Sequence, residues 1–138
     1  MTIIPFIPDH LRRLQLQPSQ AWCAPMLDAD MIAQHDGLPA WTMLDNDEPV
    51  AIGGTIEIWP QRAIVWAYLS TDAGRHMVAL TRAVRRYLEV APQRRIEAYV
   101  ETGFDAGHRW IQLLGFEREG VLRAFYQGRD MTLYSRIR

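Results

Sequence analysis

The sequence contains no lysine, and its 15 basic residues are all arginine. That absence removes Schiff-base chemistry on a lysine amine, attachment of a cofactor through lysine, and the phosphate-binding lysine of a P-loop. Cysteine is scarce too. Cys23 stands alone, which excludes an internal disulfide and a cysteine-rich zinc site. A catalytic Cys/His pair would need His10, His35, His76 or His108 beside it, and nothing local supports one; a small, partly buried hydrophobe is the plainer reading. No apolar run approaches the roughly 18 residues of a membrane-spanning helix, and the opening MTIIPFIPDHLRR lacks the layout of a signal peptide. A cytoplasmic location, away from membranes, is the expectation. Net charge is −1 with a pI near 6.4, so no global field gathers nucleic acid. The pairs Arg12/Arg13, Arg85/Arg86 and Arg94/Arg95 read as solvated faces, and no metal site is expected.

What is present fits one globular domain over residues 1–138. A chain of this length buries roughly two thirds of the surface its unfolded form exposes. TIIPFI (2–7) reads as a first strand, and PDHLRRLQLQ as a helix started by Pro8 and Asp9. PSQAWCAPM reads as irregular, and MLDADMIAQHDG (26–37) as a second helix stopped at Asp36-Gly37. The centre is clearer. AWTMLD (40–45), VAIGGTIEIW (50–59) and RAIVWAYL (62–69) are three strands joined by turns of hairpin length, hence an antiparallel meander. Gly53-Gly54 inside the second of them predicts a bulge or the close approach of another backbone.

A long helix is expected over 73–90, with Met77, Leu80, Val84, Tyr87 and Leu88 on its apolar stripe. RIEAYVE (95–101) follows as a strand. Because a helix separates it from RAIVWAYL, it should lie parallel to that strand by a right-handed crossover. FDAGHRWIQLLG gives a last helix ended by Gly115, and FEREGVLRAFY and GRDMTLYSRI give two closing strands turned at Gln127-Gly128.

This order, β-α-α-β-β-β-α-β-α-β-β, with GHRWIQLLGFEREGVLR and GRDMTLYS near the end, resembles the GCN5-related N-acetyltransferase (GNAT) superfamily over nearly the whole chain. The resemblance implies an α/β (α+β) fold with a mixed sheet of six to seven strands and four helices. It also implies an acetyl-CoA-dependent N-acyltransferase acting on an amine of a small molecule or peptide. In that family the pantetheine arm lies along the first of two parallel strands, here RAIVWAYL, and the pyrophosphate rests where the next helix begins. Carried over, Leu69 and Ser70 would meet pantetheine, and Gly74, Arg75, His76 and Met77 would supply N–H groups or charge to phosphate.

The loop departs from the family pattern. LSTDAGRHM (69–77) has Gly74 alone where the family carries several glycines, and Asp72 reads as the N-cap of the long helix, its carboxylate competing for the N–H groups a phosphate would take. The family's acid, a tyrosine four residues before the Gly of the "GF" pair, is Ile111 here; Tyr126, Tyr134 or His108 are the substitutes in view. Glu57 and Glu101, on strands beside the expected cleft, are candidate bases, and direct attack by an oriented neutral amine needs neither. A narrower resemblance, in DGLPAWTML, VWAYLST and Trp110 before LLGF, is to a phage-borne branch of the fold related to internal virion proteins of short-tailed phages. It implies a non-catalytic, structural or assembly role in host cytoplasm or virion, with Trp22, Trp41, Trp59 or Tyr126 as anchors for a protein partner. Pairing of C-terminal edge strands would make a homodimer.

Overall fold

A computed structural model describes residues 1–28 and 40–138. The elements in chain order are β1 (Thr2–Pro5), α1 (Pro8–Arg13), a 3-10 helix (Pro18–Met26), β2 (Ala40–Asp45), β3 (Glu48–Trp59) and β4 (Arg62–Leu69). They continue as a 3-10 turn (Ala73–His76), α2 (Met77–Val90), β5 (Arg95–Glu101), α3 (Asp105–Leu113), β6 (Glu117–Tyr126) and β7 (Arg129–Ile137). The strands form a seven-stranded mixed sheet in the order β1-β2-β3-β4-β5-β7-β6.

The turns follow from local chemistry. Asn46 and Asp47 both have positive φ, as do Gln127 and Gly128, the combination whose twist matches a two-residue hairpin. Between β3 and β4, Pro60 sets the first turn position and Gln61 takes φ 75° at the second. β4 and β5 are parallel, as the intervening helix predicts, and pair through Arg62 with Arg95, Ala63 with Ile96 and Ile64 with Glu97. The close approach expected at Gly53 is realised: a Cβ there would stand 3.0 Å from the Trp66 carbonyl oxygen. α3 ends in a Schellman motif, with Phe116 N–H on the Ile111 carbonyl (3.2 Å), Gly115 N–H on that of Gln112 (3.0 Å) and Gly115 at φ 92°. Ile111 and Phe116 then meet in one apolar cluster, so the "GF" pair is explained by helix termination alone.

The described residues group into two compact units. In one (Met1–Ile56 and Trp66–Ala83), Phe6, Leu14 and Ile52 form a core with Leu11, Leu16, Trp66 and Tyr68 against it. In the other (Glu57–Val65 and Val84–Arg138), Leu88, Ile96, Ala98, Ile111, Phe116 and Tyr134 are the core, with Val84 and Tyr87 packed on it from the expected stripe of α2.

Several expectations change. The helix expected from PDHLRRLQLQ stops at Arg13, and the strand expected over 50–59 starts at Glu48. The first strand ends at Pro5, not residue 7. PSQAWCAPM is a 3-10 helix rather than irregular. The long helix opens with four 3-10 residues and becomes α-helical only at Met77. Arg95 is not on a purely solvated face, since it ion-pairs with Glu97 and Glu119. The second helix expected over 26–37 falls mainly on residues outside those described, as does His35. Among the described residues no helix is long and apolar enough to cross a membrane.

Candidate functional site

The stretch from Leu69 to Met77 lies wholly in the first unit. Leu69 and Ser70 are buried, and Ser70 organises the turn. Its Oγ accepts the N–H of Asp72 (3.2 Å), and its carbonyl accepts the N–H of Ala73 (3.1 Å). Asp72 occupies the N-cap position but makes no side-chain cap hydrogen bond, which corrects the cap expectation. The reason is backbone conformation. A capping carboxylate reaches back to the N2 or N3 amide from an extended residue, whereas Asp72 sits at φ −91°, ψ 0°. Its carboxylate is therefore no competitor for the helix N–H groups, and Gly74 is exposed with open space around its Cα.

The loop's basic side chains have a carboxylate beside them. Arg75 Nη2 lies 3.8 Å and His76 Nε2 3.3 Å from Asp45 Oδ2 at the end of β2. His76 Nε2 is close enough to be an ion-pair partner but poorly aligned for a hydrogen bond, so it stays buried without one. Arg75 is 68% exposed and its long contact is weak, leaving it the more available cation for an incoming anion. Asp45 had no signal in the sequence, because its approach to the loop is made by folding alone.

The upstream end is closed. Leu69 N–H donates to Gln20 Oε1 (3.0 Å), the Leu69 carbonyl accepts Gln17 N–H (2.9 Å), and the Ala67 carbonyl accepts Gln20 Nε2 (2.9 Å). Acyl-CoA, the donor implied by resemblance, needs such groups free for its amide arm. The turn keeps Arg75 and Gly74 exposed, while the strand edge beside it is occupied by Gln17 and Gln20 and is free for such an arm only once Gln20 moves away.

The candidate acids and bases lie in the second unit. Glu57, exposed at the end of β3, accepts a single 3.2 Å bond from Gln93 Nε2. Glu101, at the end of β5, is paired with Arg129 Nη1 at 2.9 Å. Tyr126 ends β6 at 40% exposure. His108 and Tyr134 are brought together: Nδ1 is 2.7 Å from the hydroxyl, and Nε2 is 2.9 Å from the Thr102 carbonyl. A carbonyl only accepts, so Nε2 bears the proton and Tyr134 O–H donates to Nδ1 in the neutral ring. Tyr134 is 2% exposed, and its proton is committed to an internal partner.

Sequence reading missed Glu97. It is 3% exposed and receives Arg62 through two bonds (2.7 and 3.0 Å), Arg95 Nε (2.6 Å) and, more weakly, the Tyr99 hydroxyl (3.4 Å). Arg95 also grips Glu119 with both terminal nitrogens, and Arg62 stacks 4.5 Å above Trp59. The Arg62 hydrogen bonds, reinforced by Arg95 against the cost of burial, hold the Glu97 carboxyl down to about 2. A carboxylate so far below neutral pH is a poor proton acceptor, so this is a structural charge cluster rather than a base.

No family model matches the chain, and no curated protein does. Solved structures do. A ribosomal-protein-alanine N-acetyltransferase from Brucella melitensis is similar over 100% of both chains, with a TM-score of 0.73 at 17% identity. An N-acetyltransferase from Staphylococcus aureus Mu50 gives 0.72 at 12% identity, over 99% of this chain and 97% of the other. An acetyltransferase of the GNAT family from Streptococcus pneumoniae gives 0.71 at 16%, over 99% and 98%. Across its length, this chain has the fold of the GNAT acetyltransferases.

Proposed function

We propose that the chain is a single N-acyltransferase domain of GNAT type, moving an acetyl group from acetyl-CoA to an amine of a small molecule or a peptide. The observation that carries this reading is the parallel β4–β5 pair, which hydrogen-bonds only at its start, with an exposed single-glycine turn and a helix following β4. Leu69 and Ser70 are assigned to the donor's amide arm, and Gly74, Arg75, His76 and Met77 to its phosphates. Of the two candidate bases we assign the proton transfer to Glu57, which accepts one bond from Gln93, rather than to Glu101, which is held by Arg129. Tyr126 is the candidate acid, because the Tyr134 proton is engaged by His108.

A second reading, a non-catalytic GNAT-fold protein of the phage-borne branch that binds a protein partner, is favoured by the self-paired end of β4 and by Trp59, 57% exposed. β6 closes one end of the sheet and is the strand available for homodimer pairing.

The experiment is incubation of the full chain with millimolar acetyl-CoA and a panel of polyamine, amino-acid and N-terminal peptide amines, read by mass spectrometry. The acyltransferase reading expects an acetylated amine and a raised melting temperature with acetyl-CoA alone, because a ligand selective for the native state stabilises it. Absence of both leaves the second reading.

A further inference from the structure

Backbone groups on a strand point alternately to its two edges. In β4 the even-numbered residues face β3: Ser70 N–H bonds to the Val50 carbonyl at 2.8 Å, and the Trp66 carbonyl lies against Gly53. The odd-numbered residues face the opposite edge, where at the strand's start the Gln61 carbonyl accepts Arg95 N–H at 2.9 Å. Further along that edge, the chain's own residues 15–20 take over. Thr71 N–H donates to the Gln15 carbonyl (2.9 Å) and the Leu69 carbonyl accepts Gln17 N–H (2.9 Å), an antiparallel bridge centred on Leu16 and Ser70.

Continuing the same register, the backbone next to Ala67 would be that of Ser19. It is not available, because the 3-10 helix begins at Pro18 and turns the chain away. The side chain of Gln20 fills the position instead. Its Oε1 accepts Leu69 N–H (3.0 Å) and its Nε2 donates to the Ala67 carbonyl (2.9 Å), while Gln17 Nε2 holds Oε1 from behind at 2.8 Å. A primary carboxamide carries its acceptor oxygen and an N–H donor side by side, so both can face one strand edge at once. Gln20 thus does for β4 what the N–H and C=O of one residue of an added strand, drawn from two successive amides, would do.

We propose that the Gln20 carboxamide is a displaceable stand-in for the amide groups of the donor's pantetheine arm, so that acyl-CoA and Gln20 compete for Leu69 N–H and the Ala67 carbonyl. The proposal rests on the acyltransferase reading and adds a regulated entry to its donor site. Displacement needs only rotation of one side chain: the two neutral hydrogen bonds to β4 pass to the donor, and the bond from Gln17 Nε2 to Gln20 Oε1 is given up. The chain around it keeps its main-chain bridge at Leu16.

The test is titration calorimetry of acetyl-CoA into the full chain, into Gln20→Ala and into Gln20→Met, which keeps the length of the side chain but neither polar group. Hydrogen exchange of the Leu69 amide is followed in each without ligand. Both variants are expected to bind acetyl-CoA roughly tenfold more tightly, the equivalent of two net hydrogen bonds no longer broken on binding. Their Leu69 amide should exchange faster, with an unchanged far-ultraviolet spectrum. Equal affinity in all three proteins overturns the competition and leaves the acyltransferase reading standing. Silence in all three, with Leu69 exchanging faster in the variants, overturns both.

Discussion

Glu97→Gln lowers stability at pH 7 by about 3 kcal/mol and the melting temperature by roughly 10 °C. The carboxylate is buried between Arg62 and Arg95, and the amide retains its shape but not its charge. Lowered from its ordinary 4.5 to about 2, the folded-state pKa corresponds to a stabilisation of that order. The sign follows from linkage. A carboxyl whose pKa is depressed on folding stabilises the native state above its unfolded value, and loses that contribution as pH falls through the folded value. The difference between wild type and Glu97→Gln should therefore be constant above about pH 5 and shrink between about 4.5 and 2. Denaturant unfolding at a series of pH values measures it; a difference that persists unchanged at pH 2.5 removes the ion pairs as its source.

Ile96→Ala costs a similar amount for the opposite reason, about 3 kcal/mol within the roughly 2–5 typical of buried aliphatic truncations. Ile96 is 1% exposed and packs in the cluster with Leu88, Ile111 and Tyr134. Adjacent residues of a strand point to opposite faces, so Ile96 and Glu97 put one β5 side chain into oil and the next into a charge cluster. The loss at Ile96 should show no dependence on pH between 3 and 8, because no proton is bound or released at the site. Parallel unfolding series on the two variants separate the contributions; a pH-dependent loss in Ile96→Ala means that the truncation has disturbed the neighbouring ion pairs as well.

The elements legible in the sequence were those fixed by local chemistry. The turn within 46–49, which closes at Asn46-Asp47, the turn at Gln127-Gly128, the Gly115 stop and the stripe of Leu80, Val84 and Leu88 all depend on neighbours within a few residues. The parallel β4–β5 pair followed from topology, since a helix lies between them. Contacts made over long separations were not legible. Gln20 reaches Leu69 across 49 residues and Arg62 reaches Glu97 across 35, with no spacing rule to announce either. Asp72 misled for a subtler reason. Its residue type favours capping, but Ser70, two positions earlier, takes its amide in a tight turn and leaves it outside the extended conformation a cap requires.

Binding of an acyl-CoA donor at the end of β4 and the turn after it, the reading proposed above, is tested by an amide-resonance titration of the wild-type chain with acetyl-CoA up to millimolar concentration. Saturable shifts are expected at Leu69, Ser70, Gly74 and Arg75, together with the side-chain amide of Gln20. Resonances at those positions that stay unmoved throughout the titration rule out a donor site there.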